Sequence, residues 1–232
     1  MFYWILIVIC CALSFKSFAS THKVDVIAID YPPFITQSEQ SYGITNELLE
    51  RKLANLKLIK LRPRFLPPAR AQTQLTKSDW CLSFYPPAPS EFIERIPPSE
   101  DKVLLGFISK QQQVAWQDFK YFNHKRLAML RTTITEGIQG QLKQAGGVIV
   151  PVETVEQGIN LLLKGRVDFA FTDNMSFLEK QKTNKEYAQL VFAKTALLEV
   201  QLGVYFNTQC KYVGLLAPHL RKLEMPNNME LR

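Results

Sequence analysis

The chain has 232 residues, of which 47% are hydrophobic and 11% aromatic, and its 28 lysines and arginines outnumber its 21 aspartates and glutamates, giving a net charge of +7. This composition excludes an intrinsically disordered chain, a collagen-like fibre and a coiled coil. The length allows one large domain or two small ones, and the positive charge alone is compatible with nucleic acid, an anionic membrane or acidic ligands as partners.

The N-terminus has the pattern of an export signal. Residues 1–13 are an unbroken apolar run, and the small-residue pattern Ser17-Phe18-Ala19 follows. The run falls within the roughly 7 to 15 residues of a signal-peptide core and short of the roughly 20 that span a bilayer. We therefore predict a signal peptide over residues 1–19 and a periplasmic location. No Lys or Arg precedes the run, so an uncleaved N-terminal anchor is the alternative.

Removal of residues 1–19 would also remove two of the four cysteines. Cys81 and Cys210 would remain. In an oxidising compartment they could pair as a disulfide, but the sequence does not show whether their Cα atoms come within disulfide range, so two free buried thiols are an equal alternative.

The first predicted elements form a strand, a loop and a helix. The β-branched sequence KVDVIAID (residues 23–30) predicts a strand that ends at Tyr31-Pro32-Pro33, because proline cannot donate to a strand ladder. After Gly43, leucines and isoleucine at helical spacing predict an amphipathic helix, with Thr45 and Asn46 as candidate N-cap residues.

A basic stretch follows that helix. Between Glu50 and Asp79 there are only cations among the charged residues: Arg51, Lys52, Lys57, Lys60, Arg62, Arg64, Arg70 and Lys77. The sequence LKLIKLRPRF within it (residues 56–65) predicts a sheet-edge strand with its cations on one side and an internal proline. No aromatic residues alternate with these cations, so a solvated edge is favoured over a nucleic-acid surface.

The two halves of the chain share a helix-turn-strand unit. The segment from Leu75 to Phe84 aligns without a gap with the segment from Leu162 to Phe171, and each follows a predicted strand. Strand, helix, turn and strand in this order predict parallel pairing through a right-handed crossover. Thr154 with Gln157 forms a capping box for the second-half helix, and Gly165 marks its end. Two α/β lobes follow from this repeat.

A second capping box, Thr133 with Glu136, predicts a helix that begins directly after the strand RLAML (residues 126–130). The carboxyl edge of a parallel sheet is where open α/β sheets bind ligands, and free amides at a helix N-terminus favour anions. This edge is therefore a candidate binding site.

In this order of motifs the chain resembles the periplasmic solute-binding proteins of the polar amino-acid ABC import family, which have the two-lobed Venus-flytrap fold. The matching residues are Tyr31-Pro32-Pro33-Phe34, Gly43 with Glu47, the unit ending at Phe84, Ser90 to Arg95, Thr132-Thr133, and VDFAFTD ending at Asp173. The resemblance covers nearly all of the chain after residue 19. It implies an α/β, periplasmic-binding-protein type II fold, in which two mostly parallel sheets flanked by helices are joined by a two-strand hinge.

The resemblance also implies the ligand-binding residues. Arg95 would hold a ligand carboxylate through two parallel bonds, and Asp173 would accept from a ligand ammonium group. Tyr31 or Phe34 would cover the apolar part of the ligand, and Thr133 would bind the carboxylate from the other lobe. The predicted set comprises Tyr31, Phe34, Tyr85, Ser90, Arg95, Thr132, Thr133 and Asp173. Alternatively, Arg95 is a surface cation, Asp173 caps the helix that follows it, and Phe34 is a core residue.

The predicted organisation is a first lobe of residues 20–110 and 198–232, with residues 111–197 as an inserted second lobe. The resemblance implies capture of a small carboxylate-bearing polar solute, most simply an amino acid, for an ABC permease. A sensing module for a membrane partner is the alternative. Cofactors, structural metal, nucleic acid and stable oligomers are not expected.

An enzyme on the same fold, a lyase or dehydratase with Asp173 and Glu136 as acid and base, is a further alternative. The chain has no G-x-S-x-G, P-loop or G-x-G-x-x-G pattern to support other enzyme classes. We therefore expect a binding protein rather than an enzyme.

Overall fold

The computed structural model describes residues 21–96, 102–110, 114–134 and 136–221. The predicted signal peptide lies outside these residues. In the described ranges no helix has the length and apolar character needed to cross a membrane, and no cluster of His, Cys, Asp and Glu could hold a metal ion.

The first lobe is built on a five-stranded sheet in the order β2-β1-β3-β11-β4. Its strands are β1 (His22–Ala28), β2 (Ile59–Phe65), β3 (Leu82–Ser83), β4 (Ile93–Ile96) and β11 (Val204–Asn207). Its helices are α1 (Ile44–Lys52), α2 (Pro68–Leu75) and, near the C-terminus, α6 (Val213–Arg221). β1 pairs in parallel with both β2 and β3, and β11 pairs antiparallel with β3 and β4.

The second lobe is built on a six-stranded sheet in the order β10-β5-β8-β6-β7, with β9 paired to β5. Its strands are β5 (Lys102–Ser109), β6 (Arg126–Leu130), β7 (Val148–Val152), β8 (Phe169–Asp173), β9 (Val191–Phe192) and β10 (Leu198–Gln201). Its helices are α3 (Ile138–Gln144), α4 (Val155–Leu163) and α5 (Asn174–Thr183), with short 3-10 turns at Phe119–Phe122 and Lys185–Gln189.

The repeated unit predicted from the sequence is confirmed. β6 pairs in parallel with β7 and β8, as β1 does with β2 and β3, and Leu82 of β3 corresponds to Phe169 of β8. Thr154 caps α4 by accepting a hydrogen bond from the Gln157 amide (3.1 Å), as predicted. The α/β architecture with two sheets flanked by helices is therefore established. The sheets, expected to be mostly parallel, are both mixed, because β11 and β5 pair antiparallel with their neighbours.

Two crossings join the lobes, one between β4 and β5 and the other between β10 and β11. β5 and β10 pair antiparallel, with Leu105 opposite Leu198, and both strands belong to the second sheet. The exact lobe limits at residues 110 and 198 stay a prediction.

A disulfide between Cys81 and Cys210 closes the first lobe. It joins the segment before β3 to the segment before α6, and both cysteines are buried in one apolar cluster with residues of β1, α1 and α6. Of the two alternatives considered for these cysteines, pairing is the one observed.

The basic strand lies at a sheet edge, as predicted. β2 is the terminal strand of the first sheet, and Lys60, Arg62 and Arg64 alternate as exposed residues with half-buried apolar ones. Arg62 pairs with Asp25 of the neighbouring strand (2.6 Å). The cations therefore face solvent on one side of the edge strand.

The proposed caps of α1 are wrong. The helix begins at Ile44 with Gly43 as its N-cap, so Thr45 and Asn46 lie inside the first turn, where both are buried. The Thr45 side chain donates to the Phe34 carbonyl and the Asn46 side chain to the Ser41 carbonyl. Both side chains therefore bind the loop that precedes α1 to the first turn of the helix.

Candidate functional site

A cleft lies between the two lobes. On the first lobe it is lined by the loop after β1, and on the second by the start of α4 and one side of α5. It contains about 480 Å³ of empty space, part of it open to solvent. The lining residues are Asp30, Tyr31, Pro32, Thr154, Val155, Glu156, Ile159, Thr172, Ser176, Lys180 and Tyr187. Since β1 and β8 both end here, the cleft is at the carboxyl edge of the parallel strands, where such sheets bind ligands.

The loop that forms the first-lobe wall is fixed by Gly43. The φ of Gly43 is 95°, and a Cβ atom there would lie 2.8 Å from the carbonyl oxygens of both Pro33 and Phe34. Because glycine allows this approach, the Ile44 and Thr45 amides donate to those same carbonyls (3.2 and 2.9 Å). The first turn of α1 therefore fixes the conformation of the Tyr31 to Phe34 loop.

Tyr31 and Phe34 have different roles in this loop. The Phe34 ring is buried, with 4% of the residue exposed, and it lies 6.2 Å from the Tyr31 ring. Tyr31 lines the cleft, whereas Phe34 supports it from the core side. Tyr31 is therefore the aromatic residue of the pair that is placed to cover a ligand.

Asp173 ends β8 and is completely buried. Its Oδ1 accepts a hydrogen bond from the Ser176 amide (2.8 Å), so the residue caps α5. Its Oδ2 is buried without a hydrogen-bond partner among the described residues. One oxygen thus has a structural role, and the other is left to accept from something else.

The Tyr31 phenol lies beside this carboxylate without forming a well-aligned hydrogen bond to it. Burial, and secondarily the negative charge of Asp173, raise the pKa of Tyr31 well above its ordinary value. The Ser176 hydroxyl is also buried without a partner within the described ranges. An unpaired buried polar group costs about 1–3 kcal/mol, so a ligand that bonds to this group of atoms would recover that energy.

Thr132 and Thr133 follow β6 and bind a side chain of the other lobe. The amide oxygen Oε1 of Gln72, in α2, accepts from Thr132 Oγ1 (2.9 Å), the Thr133 amide (2.7 Å) and Thr133 Oγ1 (3.1 Å). These donors form the threonine cradle. It already binds an acceptor oxygen, which is the chemistry expected of a carboxylate site.

The prediction that Thr133 and Glu136 begin a helix is wrong. α3 begins at Ile138, with Gly137 as its N-cap at a φ of 77°. The Thr133 amide and hydroxyl both donate hydrogen bonds to Gln72 Oε1, and Glu136 is exposed. Contacts from the other lobe therefore replace the local capping pattern.

Tyr85 lies on the first-lobe side of the cradle. Burial raises its pKa to about 12, and a hydrogen bond with Gln72 acts in the opposite direction. The Ser83 hydroxyl holds the Tyr85 backbone at both its amide (3.0 Å) and its carbonyl (2.6 Å). Tyr85, Gln72 and the two threonines thus form a continuous connection between the lobes.

Ser90 and Arg95 lie elsewhere. Both are exposed, and neither is among the cleft-lining residues described above. Arg95 donates to the Gln201 carbonyl (3.1 Å) and to Gln201 Oε1 (3.2 Å), so its guanidinium ties β4 to the end of β10. Its role as a carboxylate clamp stays a prediction.

Several cleft residues were not predicted from the sequence. Asp30 lies two residues after the end of β1, so the edge-of-sheet position that pointed to Asp173 also points to Asp30. Glu156 and Lys180 lie in helices α4 and α5 and carry no such signal. With Asp30, Glu156 and Asp173 against Lys180, the cleft and its wall have a surplus of acidic groups.

Comparison with known proteins confirms the fold. No protein-family model matches the chain, and no curated protein matches its sequence. Among solved structures, the GluR0 ligand-binding core from Nostoc punctiforme in complex with L-glutamate is similar, with a TM-score of 0.65, 14% sequence identity and coverage of 87% of this chain and 92% of that one.

Two further structures are similar over the same extent. An ancestral arginine-binding protein bound to arginine has a TM-score of 0.63 and 15% identity, covering 86% of this chain and 91% of that one. The VFT2 domain of BvgS from Bordetella pertussis has a TM-score of 0.61 and 15% identity, covering 87% and 88%. The chain therefore has the two-lobed Venus-flytrap fold of periplasmic binding proteins.

Proposed function

We propose that this protein captures a small polar solute that carries a carboxylate and an ammonium group, most simply an amino acid, between its two lobes. One observation carries the proposal. The interlobe region contains both a buried carboxylate with an uncommitted oxygen, Asp173, and a set of donors that binds an oxygen, the threonine cradle. These are the complementary partners of an ammonium group and a carboxylate.

The charge of the cleft narrows the ligand class. Among the lining residues Asp30 and Glu156 outnumber Lys180, and the buried Asp173 lies beside Tyr31, so a ligand with an additional positive charge is favoured over an acidic one. The similarity to structures with bound arginine and bound L-glutamate supports an amino acid in general. We propose a cationic amino acid as the preferred ligand.

A thermal-shift screen against the amino acids, polyamines, oligopeptides and organic acids tests the proposal. A ligand at about 100 times its dissociation constant stabilises the protein by roughly 2.7 kcal/mol. We expect the largest shift with a cationic amino acid. The absence of a shift with every carboxylate tested would contradict the proposal.

Two variants of Asp173 then separate its ligand role from its capping role. Asparagine is also a good N-cap residue, so Asp173→Asn should keep α5 intact while losing the negative charge. Asp173→Ala should lose both, at about 1 kcal/mol of stability for the cap. We expect loss of ammonium-ligand binding in both variants, with a lower melting temperature mainly in Asp173→Ala.

We further propose that the protein is exported by its predicted signal peptide and delivers its ligand to an ABC permease. The Cys81–Cys210 disulfide supports export, because such bonds persist in oxidising compartments. N-terminal sequencing of protein recovered from the periplasm should begin at Ser20. An N-terminus at Met1 in a membrane fraction would support the uncleaved anchor instead.

Ligand sensing for a membrane partner is the second candidate. The contacts of Gln72 with the threonine cradle hold the lobes together through the protein's own side chains, which suits a module that reports a conformational change. A permease and an ATPase encoded beside the gene would favour import, and a sensor kinase or cyclase would favour sensing. Formation of a product from the bound solute would instead indicate an enzyme, a lyase or a dehydratase.

A further inference from the structure

Gln72 is the side chain that joins the two lobes most directly at the predicted carboxylate site. It lies in α2 of the first lobe, and its Oε1 accepts three hydrogen bonds from the cradle on the second lobe, at 2.7, 2.9 and 3.1 Å. The same side chain lies beside Tyr85 within its own lobe, where it lowers the pKa of that phenol against the effect of burial. Gln72 therefore connects Tyr85 of the first lobe with the cradle of the second.

We propose that Gln72 is an internal competitor for the ligand carboxylate, holding the lobes closed until a carboxylate displaces it from the threonine cradle. This inference rests on the proposed function and adds its regulation. A carbonyl oxygen of an amide and an oxygen of a carboxylate accept hydrogen bonds from the same donors with similar geometry. The amide oxygen occupies the position that a ligand carboxylate oxygen would need.

The competition favours a charged ligand. Hydrogen bonds to an ionised acceptor are roughly twice as strong as those to a neutral one, so a carboxylate displaces the Gln72 amide more readily than a neutral carbonyl does. An amine without a carboxylate does not compete for the cradle at all. Gln72 therefore adds a requirement for a carboxylate to whatever selectivity the rest of the cleft provides.

Displacement also has an energetic consequence for affinity. While Gln72 occupies the cradle, a ligand carboxylate cannot bind there, so its apparent dissociation constant equals the intrinsic constant divided by the fraction of molecules with a free cradle. Removing the Gln72 acceptor should therefore tighten carboxylate binding by roughly tenfold or more.

Small-angle X-ray scattering without added ligand tests the closing role. The variants are Gln72→Ala and Gln72→Met, the second keeping a long side chain without an oxygen acceptor, and the control is Gln74→Ala. Gln74 lies in the same helix and bonds Asp79 of its own lobe (3.0 Å). We expect a larger radius of gyration for both Gln72 variants and no change for the control. Equal values for wild type and both Gln72 variants would overturn the proposal.

Titration calorimetry with L-arginine and with agmatine, its analogue without the carboxylate, tests the competition. Both Gln72 variants should bind L-arginine roughly tenfold more tightly than wild type, while agmatine binding should not change. Weaker L-arginine binding in these variants would show that Gln72 is a ligand contact and would overturn the proposal. If neither compound binds any variant, L-arginine is excluded as the ligand, and the scattering result alone decides whether Gln72 closes the lobes.

Discussion

The two lobes share a strand order and a helix-turn-strand unit, yet they are stabilised in different ways. The first lobe combines two distant chain segments and joins them with the Cys81–Cys210 disulfide. The second is one continuous insertion, and its core contains an aromatic cluster of Phe107, Trp116, Phe122 and Phe169. The repeated pattern therefore gives both lobes the same architecture, whereas the disulfide occurs in the lobe that is assembled from two distant chain segments.

Loss of the disulfide should cause the largest difference in stability between the two lobes. The bond closes a loop across a sequence separation of 129, for which the chain-entropy model gives about 4–5 kcal/mol. We expect the double variant Cys81→Ala, Cys210→Ala to destabilise the first lobe selectively. Chemical denaturation followed by tryptophan fluorescence measures this, because Trp80 is buried in the first lobe and Trp116 in the second.

In protein without residues 1–19, which contain the third tryptophan, Trp4, the Trp116→Phe and Trp80→Phe versions of the variant make each lobe separately visible. The reporter in the first lobe should show a lower transition midpoint, and the reporter in the second lobe a smaller change. Equal shifts of both reporters would contradict the distinction between the lobes. Addition of a reducing agent to the double variant is the control and should have no further effect.

Truncation of the aromatic cluster should have the opposite selectivity. Phe122 is fully buried, and its ring centroid lies 4.9 Å from that of Trp116, 5.1 Å from that of Phe107 and 5.3 Å from that of Phe169. Phe122→Ala should cost about 3–5 kcal/mol, and the Trp116 reporter should detect it first. The matched control is Phe92→Ala in the first lobe, where 42% of the residue is exposed and a small change is expected.

A smaller effect is expected where the first lobe shapes the cleft. Gly43→Ala places a Cβ atom 2.8 Å from two carbonyl oxygens at a positive φ, so we expect a loss of about 1–3 kcal/mol. Because these carbonyls belong to the loop that carries Tyr31, ligand affinity should fall as well. The control is Gly165→Ala in the second lobe, where φ is also positive (68°) but the Cβ atom meets no neighbour within 4 Å. An equal loss of affinity in both variants would refute the positioning role of Gly43.

The smallest effect concerns alkaline pH. The pKa of Tyr85 is raised to about 12 by burial, so the folded state favours the neutral phenol. Its contribution is complete below pH 10, the ordinary tyrosine value, and is lost as the pH rises towards 12. Tyr85→Phe should therefore reduce the decline of stability between pH 10 and 12 by up to about 1.4 kcal/mol per pH unit, measured by urea denaturation. An unchanged decline would show that Tyr85 is not buried in solution.

Much of the fold was predictable because it depends on local patterns. The alignment of Leu75 to Phe84 with Leu162 to Phe171 predicted the parallel units, and the cations and Pro63 predicted the edge position of β2. The helix starts at α1 and α3 were less predictable. There Gly43 and Gly137 at positive φ replace the threonine caps, since the threonines bond to the loop or to the other lobe.

The site was only partly predictable, because some of its contacts are local to one strand end and others form between the lobes. Asp173 and Tyr31 could be located because one ends β8 and the other lies three residues after β1, at the carboxyl edge of a sheet. Gln72 could not, because its contacts with Thr132 and Thr133 span about 60 residues and exist only when the lobes meet. Arg95 was predicted as a carboxylate-binding residue from the order of the motifs alone, and in the structure its guanidinium donates to Gln201.

The measurement that tests the central claim most directly is hydrogen–deuterium exchange with and without the amino acid that gives the largest thermal shift. A solute held between the lobes should protect backbone amides on both sides of the cleft at once. We predict slower exchange in residues 30–36 of the first lobe and in residues 154–159 and 172–176 of the second. Protection confined to one lobe, or located away from these segments, would contradict interlobe capture.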